Sequence, residues 1–322
     1  MIKQKYHISK IDANQRVDKY IKKVLPLAPK NFVYKLFRRK DISINNFTAL
    51  PDSILKENDE VSVYLTDEQL NDFSREYYYT KMPMTAKIIF EDENILVLDK
   101  PRGLLVHSTV LQKKETLANQ VLTYLEEKGE FDSKKRGFVP SPVNRLDQPT
   151  SGVVIFAKTL IAAQVLAETF ADSEALTRKY LAICSGKLQK SGVINVPLTR
   201  RQSNLNGTVV VDENGKEAVT KYNVVKYYKN FSLVNIEIFS GRTNQIRVHM
   251  AYIMHPILGD TKYGDSALND AMNVRQLCLH CSEIRLNKVR EPLAYLTKAK
   301  FNAEVPHDFK EIVKRLLAKG AK

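Results

Sequence analysis

The sequence predicts an α+β protein in two parts. A small module of two basic helices and a small sheet comes first, followed by a larger domain built on a mixed, largely antiparallel sheet flanked by helices. Three observations carry that expectation. Apolar residues recur at helical spacing from Val17 to Phe37 and alternate afterwards. A polar, tyrosine-rich stretch then breaks the pattern between Thr66 and Thr85. Beyond it, strands outnumber helices and hairpins dominate, which argues against a doubly wound fold.

In chain order, residues 16–25 read RVDKYIKKVL, with Val17, Tyr20, Ile21, Val24 and Leu25 beneath a polar face of Arg16, Lys19, Lys22 and Lys23, the pattern of an amphipathic helix. Pro26 and Pro29 end it, and Phe32, Val33, Leu36 and Phe37 mark a second helix that exposes Lys30, Lys35, Arg38, Arg39 and Lys40. Ile42 and Ile44, a turn at Asn45-Asn46, and Val61, Val63 and Leu65 after Glu57-Asn58-Asp59 predict the small sheet. Residues 1–66 are thus read as the first domain, 67–85 as a linker and 86–322 as the second domain. There, KIIF and ILVLD on either side of residues 91–94 predict a hairpin, and TLANQVLTYLEE from Thr116 predicts a helix. VVIFA at 153–157 reads as a buried strand, residues 164–170 as a helix and KYLAI at 179–183 as a strand. VVV at 209–211 and AVTKYNVV at 218–225 flank Asn214-Gly215, the dipeptide of a tight hairpin.

At 322 residues the chain has the length of roughly two domains of about 150 residues each. Its 43% hydrophobic and 27% charged residues exclude wholesale disorder and supply a substantial core. Fifty Lys and Arg against 36 Asp and Glu leave a net charge of +14, which suits a polyanionic partner such as nucleic acid as well as a merely soluble basic protein. The start of the chain lacks the apolar stretch of a signal peptide, and no apolar run approaches the ~18 residues of a membrane span, so a cytoplasmic protein without membrane contact is expected. Cys184, Cys278 and Cys281 cannot pair completely. Cys278 and Cys281 have CxxC spacing around His280, but a closed zinc site takes about four ligands and no second pair exists, so buried thiols are expected.

Asp147 lies in PVNRLDQPTSG at 142–152, a turn-rich loop running into an apolar strand, where a carboxylate is held at the mouth of a rigid element. On spacing alone it reads sooner as a turn or cap residue, with Thr150 and Ser151 satisfying the backbone. NRLDQPTSGVVIFAK, however, resembles the motif HRLDxxTSGxxxxAK of the RluA-type pseudouridine synthases. GRTNQIRVHMAYIMHPILGDTKYG at 241–264 is similar to that family's second long signature, GRTHQIRxHxxxxGxPIxGDxxYG. ENILVLDKPRGLLVH at 93–107 and RKYLAICSG at 178–186 resemble two further family elements, so the likeness runs from Ala86 to the C-terminus. Residues 1–65 resemble the S4 RNA-binding domain that many members carry in front. Asn144 and Asn244 stand where the family usually has histidine, and Arg39-Lys40-Asp41 where the S4 pattern commonly has a glycine.

The resemblance implies an RNA pseudouridine synthase, an isomerase that breaks the N-glycosidic bond of a uridine, turns the uracil and rejoins it through C5. That chemistry calls for no redox change, metal or nucleotide cofactor. Asp147 is the implied catalytic carboxylate, attacking the sugar or base or taking a proton from the sugar. Burial raises a carboxyl pKa, so a nearby cation must restore the anion, and Arg247 is the residue the motif implies. Tyr180 matches the family's active-site tyrosine, a floor for a flipped base whose phenol can act in proton transfer; without the motif it is a core aromatic. Arg145 matches an arginine that enters the space left by the base, although a phosphate contact suits it equally. Asn144 and Asn244 are expected as neighbours.

RNA contact in the first domain is expected from Arg16, Lys35, Arg38, Arg39 and Lys40. The implied partner is structured RNA, the large-subunit (23S) ribosomal RNA of bacteria, bound by a monomer. A different class, a catalytically idle RNA-binding or ribosome-assembly protein, is distinguished by loss of the aspartate, tyrosine or arginine, and all three survive. A zinc-dependent base deaminase would need His-x-Glu and Pro-Cys-x-x-Cys, which do not occur.

Overall fold

A computed structural model of the chain describes residues 2–26, 28–73, 79–108, 115–133, 138–201 and 207–320. The first module contains β1 (Ile2–His7), α1 (Val17–Val24), α2 (Lys30–Arg38), β2 (Ile42–Ile44), β3 (Phe47–Thr48) and β4 (Glu60–Leu65), with strands in the order β1-β4-β2-β3. Both helices form as the periodicity requires: α1 buries Val17, Tyr20, Ile21 and Val24, and α2 buries Val33, Leu36 and Phe37. Strand β1 was missed by the sequence reading. It is an edge strand whose Lys3, Lys5 and His7 face solvent and whose inner row includes Gln4, so its alternation carries little apolar signal.

Helix α2 ends without the glycine that its turn favours. Lys40 takes φ +62°, and the N–H groups of Lys40 and Asp41 donate to the carbonyls of Phe37 (3.0 Å) and Leu36 (2.9 Å), closing a Schellman turn. An L-residue in that conformation costs roughly 1–2 kcal/mol.

The stretch read as a linker begins with a helix, α3 (Asp67–Phe73). Thr66 and Gln69 cap it reciprocally, each side chain accepting the other's backbone N–H at 3.1 Å, and the Phe73 ring packs 4.6 Å from Phe32. Thr-Asp-Glu-Gln was therefore a legible start signal that the polar composition masked. Tyr77 and Tyr78 of the same stretch lie outside the described residues.

The second domain runs through β5 (Lys87–Glu91), β6 (Ile95–Lys100), α4 (Leu117–Glu127), β7 (Ser141–Pro142), β8 (Ser151–Ala157), α5 (Leu160–Ala171) and β9 (Leu176–Ser185). It continues with β10 (Ser191–Asn195), β11 (Leu198–Arg201), β12 (Thr208–Val211), β13 (Val219–Tyr227), β14 (Phe231–Ile238), α6 (Gln245–Tyr252), α7 (Ser266–Ala271), β15 (Leu279–Leu286), β16 (Lys300–Asn302) and α8 (His307–Gly320). One sheet has the order β10-β13-β14-β9-β15-β8-β6-β5, with β16 on β15 and β7 on β8; among the described residues its one parallel strand pair is β15 and β8. The predicted mixed, largely antiparallel sheet is present, and every residue of its strand β8 is buried.

The hairpin expected around Asn214-Gly215 is not. The turn forms, with the Gly215 N–H donating to Asp212 O at 2.8 Å, but β12 pairs with β11 in a separate ribbon and β13 pairs with β10 and β14. A tight-turn signal specifies a local reversal, whereas the partner of each strand is selected by packing beyond it.

Candidate active site

The Asp147 loop is tied down on both sides. The Thr150 N–H donates to Asp147 O at 3.0 Å, and Asn144 clasps β8 by donating to Val153 O (3.1 Å) and accepting from the Ile155 N–H (2.8 Å). Gln148 and Gly103 exchange hydrogen bonds of 2.9 and 3.0 Å, fastening the loop to the one that follows β6. Lys100, fully buried at the end of β6, donates to the carbonyls of Pro101 (2.9 Å), Leu104 (2.8 Å) and Gln148 (3.3 Å). Burial pulls its ammonium down to about 7, with the nearby Asp147 charge acting the other way. Sequence reading did not single out Lys100, although a lysine ending the apolar strand ILVLDK was the available signal.

Helix α6 brings Arg247 to this loop, its Nη1 donating to Asp147 Oδ2 at 3.3 Å, within the reach expected of the pair. The rest of the guanidinium is fixed by Asp260, which accepts from Nε at 2.7 Å and from Nη2 at 2.8 Å. Nη1 also donates to Asn244 Oδ1 at 3.2 Å, and the Tyr263 ring lies 5.2 Å from the guanidinium carbon. Asp260, 1% exposed, further accepts the N–H groups of Lys262 (2.8 Å) and Tyr263 (3.0 Å). Burial alone would raise its carboxyl; the guanidinium and these N–H groups overcome that and hold it below the usual range. Asp260 was in the quoted motif yet unassigned, because nothing in linear spacing shows that it shares Arg247 with Asp147.

Asp147 itself is about a quarter exposed. Burial raises its carboxyl above the ordinary value, Arg247 draws it down, Asp260 raises it and Lys100 lowers it, with the net direction upward. Tyr180 on β9 is buried, its phenol interacts with the Cys281 thiol, and burial first, with a smaller push from Asp147, keeps it protonated. Arg145 is exposed beside Asp147 in the same loop.

Asn144 and Asn244 do not share a hydrogen bond. Asn144 serves β8, whereas Asn244, at φ +52° before α6, donates to the Tyr263 hydroxyl at 3.0 Å and accepts from Arg247. In the first module Lys35, Arg38 and Lys40 are exposed, Arg39 pairs with Asp41 at 3.0 Å, and Arg16 pairs with Asp18 at 2.9 Å.

The three cysteines are buried. His280, between two of them, is a neutral core histidine: its Nε2 donates to Ala303 O (3.3 Å), Nδ1 accepts from the Ser151 hydroxyl (3.0 Å), and burial lowers it to about 4. Among the described residues no group of three or more His, Cys, Asp or Glu could hold a metal, and no helix is long and apolar enough to cross a membrane. A cavity of about 620 Å³ opens elsewhere, beside Ile11, Glu91 and Lys158. Its lining carries four carboxylates, Glu91, Asp92, Glu93 and Glu130, against Lys128 and Lys158, and Lys158 pairs with Glu91 (3.0 Å) and Glu130 (2.5 Å).

The chain is similar to known proteins over most of its length. Residues 94–252 match the family described as RNA pseudouridylate synthase. The chain is 35% identical over 237 residues to the ribosomal large subunit pseudouridine synthase D of Zymomonas mobilis, covering 72% of this chain and 73% of that one. It is 30% identical over 332 residues to the ribosomal large subunit pseudouridine synthase C of Haemophilus ducreyi, covering 98% and 96%. Its fold is similar to that of human RNA pseudouridylate synthase domain containing 4, with a TM-score of 0.56 at 23% identity over 71% of this chain and 92% of that one.

Proposed function

The chain belongs to the RluA-type RNA pseudouridine synthase family, isomerases that act on RNA, and from that premise we propose that Asp147 is its catalytic carboxylate, acting on uridines of bacterial large-subunit ribosomal RNA. The observation that carries this reading is the 3.3 Å bond from a guanidinium anchored by Asp260 to a partly exposed carboxylate, with Tyr180 close by. The carboxylate is the reactive form, and Arg247 is what keeps it available inside a site whose burial favours the neutral acid. In the reaction the N1–C1′ bond of uridine breaks and a C5–C1′ bond forms, the C5 hydrogen leaves to solvent and N1 gains a proton. Tyr180, held as a neutral phenol, is suited to face the uracil and to donate a proton rather than accept one. Arg145 is free to enter the stack vacated by the flipped base. Residues 1–66 act as an S4-like RNA-binding domain, and no cofactor takes part.

Asp147→Asn keeps the size and removes the charge. Tritium release from 5-tritiated uridine in a large-subunit ribosomal RNA transcript should vanish while RNA binding, measured by filter retention, survives. Substantial release by that variant would overturn the assignment and favour chemistry through another group.

A further inference from the structure

Two residues before Tyr180 stands a cation with no counter-charge among the described residues. Arg178 precedes Tyr180 by two residues on β9, so its side chain leaves the sheet on the same face. It is 9% exposed, its Nε is fully buried without a hydrogen-bond partner, and its guanidinium makes no hydrogen bond or ion pair with any described residue. Its tip runs past Gly241 in the loop between β14 and α6: a Cβ there would stand 2.9 Å from Nη1, and glycine leaves the passage open. The Tyr180 phenol feels the charges of both Arg178 and Asp147, which sets the three groups in one neighbourhood.

The contrast with Arg247 is instructive, because that guanidinium is similarly buried but has two carboxylates, an amide oxygen and an aromatic face. A cation withdrawn from water without an anion is costly, and burial already works against the charge of Arg178. No described residue offsets it. The missing partner must therefore arrive with the substrate, and it must be anionic: a base carbonyl would accept one N–H and leave the charge uncompensated, whereas the two free oxygens of a phosphodiester match the guanidinium fork.

We propose that Arg178 seats a backbone phosphate of the substrate RNA, at or next to the nucleotide whose base meets Tyr180 and whose sugar meets Asp147. This rests on the reading of those two residues as the active site. Arg178 is then a substrate-binding residue kept unpaired in the free protein so that the phosphate finds a desolvated, pre-positioned cation.

The test is filter binding of a large-subunit ribosomal RNA transcript across a salt series, for the parent protein and for Arg178→Gln, Arg178→Lys and Arg178→Met, with tritium release by the parent run alongside. Arg178→Gln should weaken binding several-fold and flatten the slope of log affinity against log salt by about 0.7, the contribution of one single-strand phosphate contact. Arg178→Lys should restore most of the slope. Arg178→Met, which removes the unpaired charge but keeps apolar bulk, should melt at or above the parent temperature, the opposite of what a packing role requires. Unchanged affinity and slope in Arg178→Gln, with an active parent, would overturn the phosphate seat and leave the active-site reading standing. A flattened slope with an inactive parent would uphold the seat and overturn the reading of the reaction.

Discussion

At Arg247 one guanidinium is divided between two carboxylates, and after burial that division is what bears on the protonation of Asp147. Asp260 takes the Nε/Nη2 edge of the fork and leaves Nη1 for Asp147, so the nearer negative charge on Asp260 also raises the Asp147 carboxyl. Asp260→Asn removes that charge and makes Asp147 the sole carboxylate on the guanidinium. The Asp147 pKa should fall, and with the carboxylate as the proposed active form, the acid limb of kcat/KM for tritium release should move to lower pH. The variant should also lose stability, since breaking a buried pair on one side costs roughly 3–5 kcal/mol. A lower melting temperature with an acid limb that has not moved would reduce Asp260 to a structural role and remove its influence on Asp147.

Where β8 and β15 meet in parallel, the motif residues Ser151 and Gly152 have structural duties of their own. Gly152, at φ +117°, lies so close to Cys281 that a Cβ would stand 2.1 Å from the Cys281 carbonyl oxygen, so only glycine permits the pairing of β15 with the strand that follows the Asp147 loop. Ser151 donates to His280, fixing the neutral ring across the same junction. His280 titrates near 6.5 when unfolded and at about 4 when folded, so the folded state resists its protonation. Its contribution is present above pH 6.5 and is lost as the pH falls towards 4, up to about 3 kcal/mol from a depression of that size. His280→Gln cannot titrate, so the loss of stability between pH 7 and pH 4.5, measured by urea unfolding, should shrink relative to the parent. Equal losses in the two proteins would mean that carboxylates elsewhere govern the acid sensitivity.

Over the whole molecule, the first module is docked onto the second domain rather than tethered to it. The Phe138 N–H donates to Asp12 Oδ1 at 2.6 Å, the Leu160 N–H donates to Ile11 O at 3.2 Å, and Lys10 pairs with Glu93 at 2.6 Å. A docked module presents its basic face in a set direction, and on that face Lys35, Arg38 and Lys40 are exposed whereas Arg39 answers Asp41. Replacing Lys35 and Arg38 together by Gln should weaken binding of large-subunit ribosomal RNA and reduce the salt slope by roughly 1.4 to 1.8 if both meet phosphates. Filter binding across a salt series checks this. A slope equal to the parent's would move the RNA-facing charge to the second domain.

The sequence by itself carried the helices of the first module and the strand-rich character of the second domain, and its family-like segments singled out Asp147 and Arg247 in the two long signatures and Tyr180 in RKYLAICSG at 178–186. These were legible because periodicity and motif spacing are properties of neighbouring residues. Helix α3 was legible too, in its capping box, but polar composition argued the other way. Tertiary structure alone decided which strand pairs with β12, that Arg247 is shared with Asp260 and that Asn244 serves Tyr263 while Asn144 serves β8. It also decided that Lys100 is caged by three carbonyls and that Arg178 has no counter-ion among the described residues. Each of these turns on how much water and which opposite charge a side chain meets after segments as much as 100 residues apart have packed together, and hydrogen bonding and desolvation act over a few ångströms of space rather than along the chain.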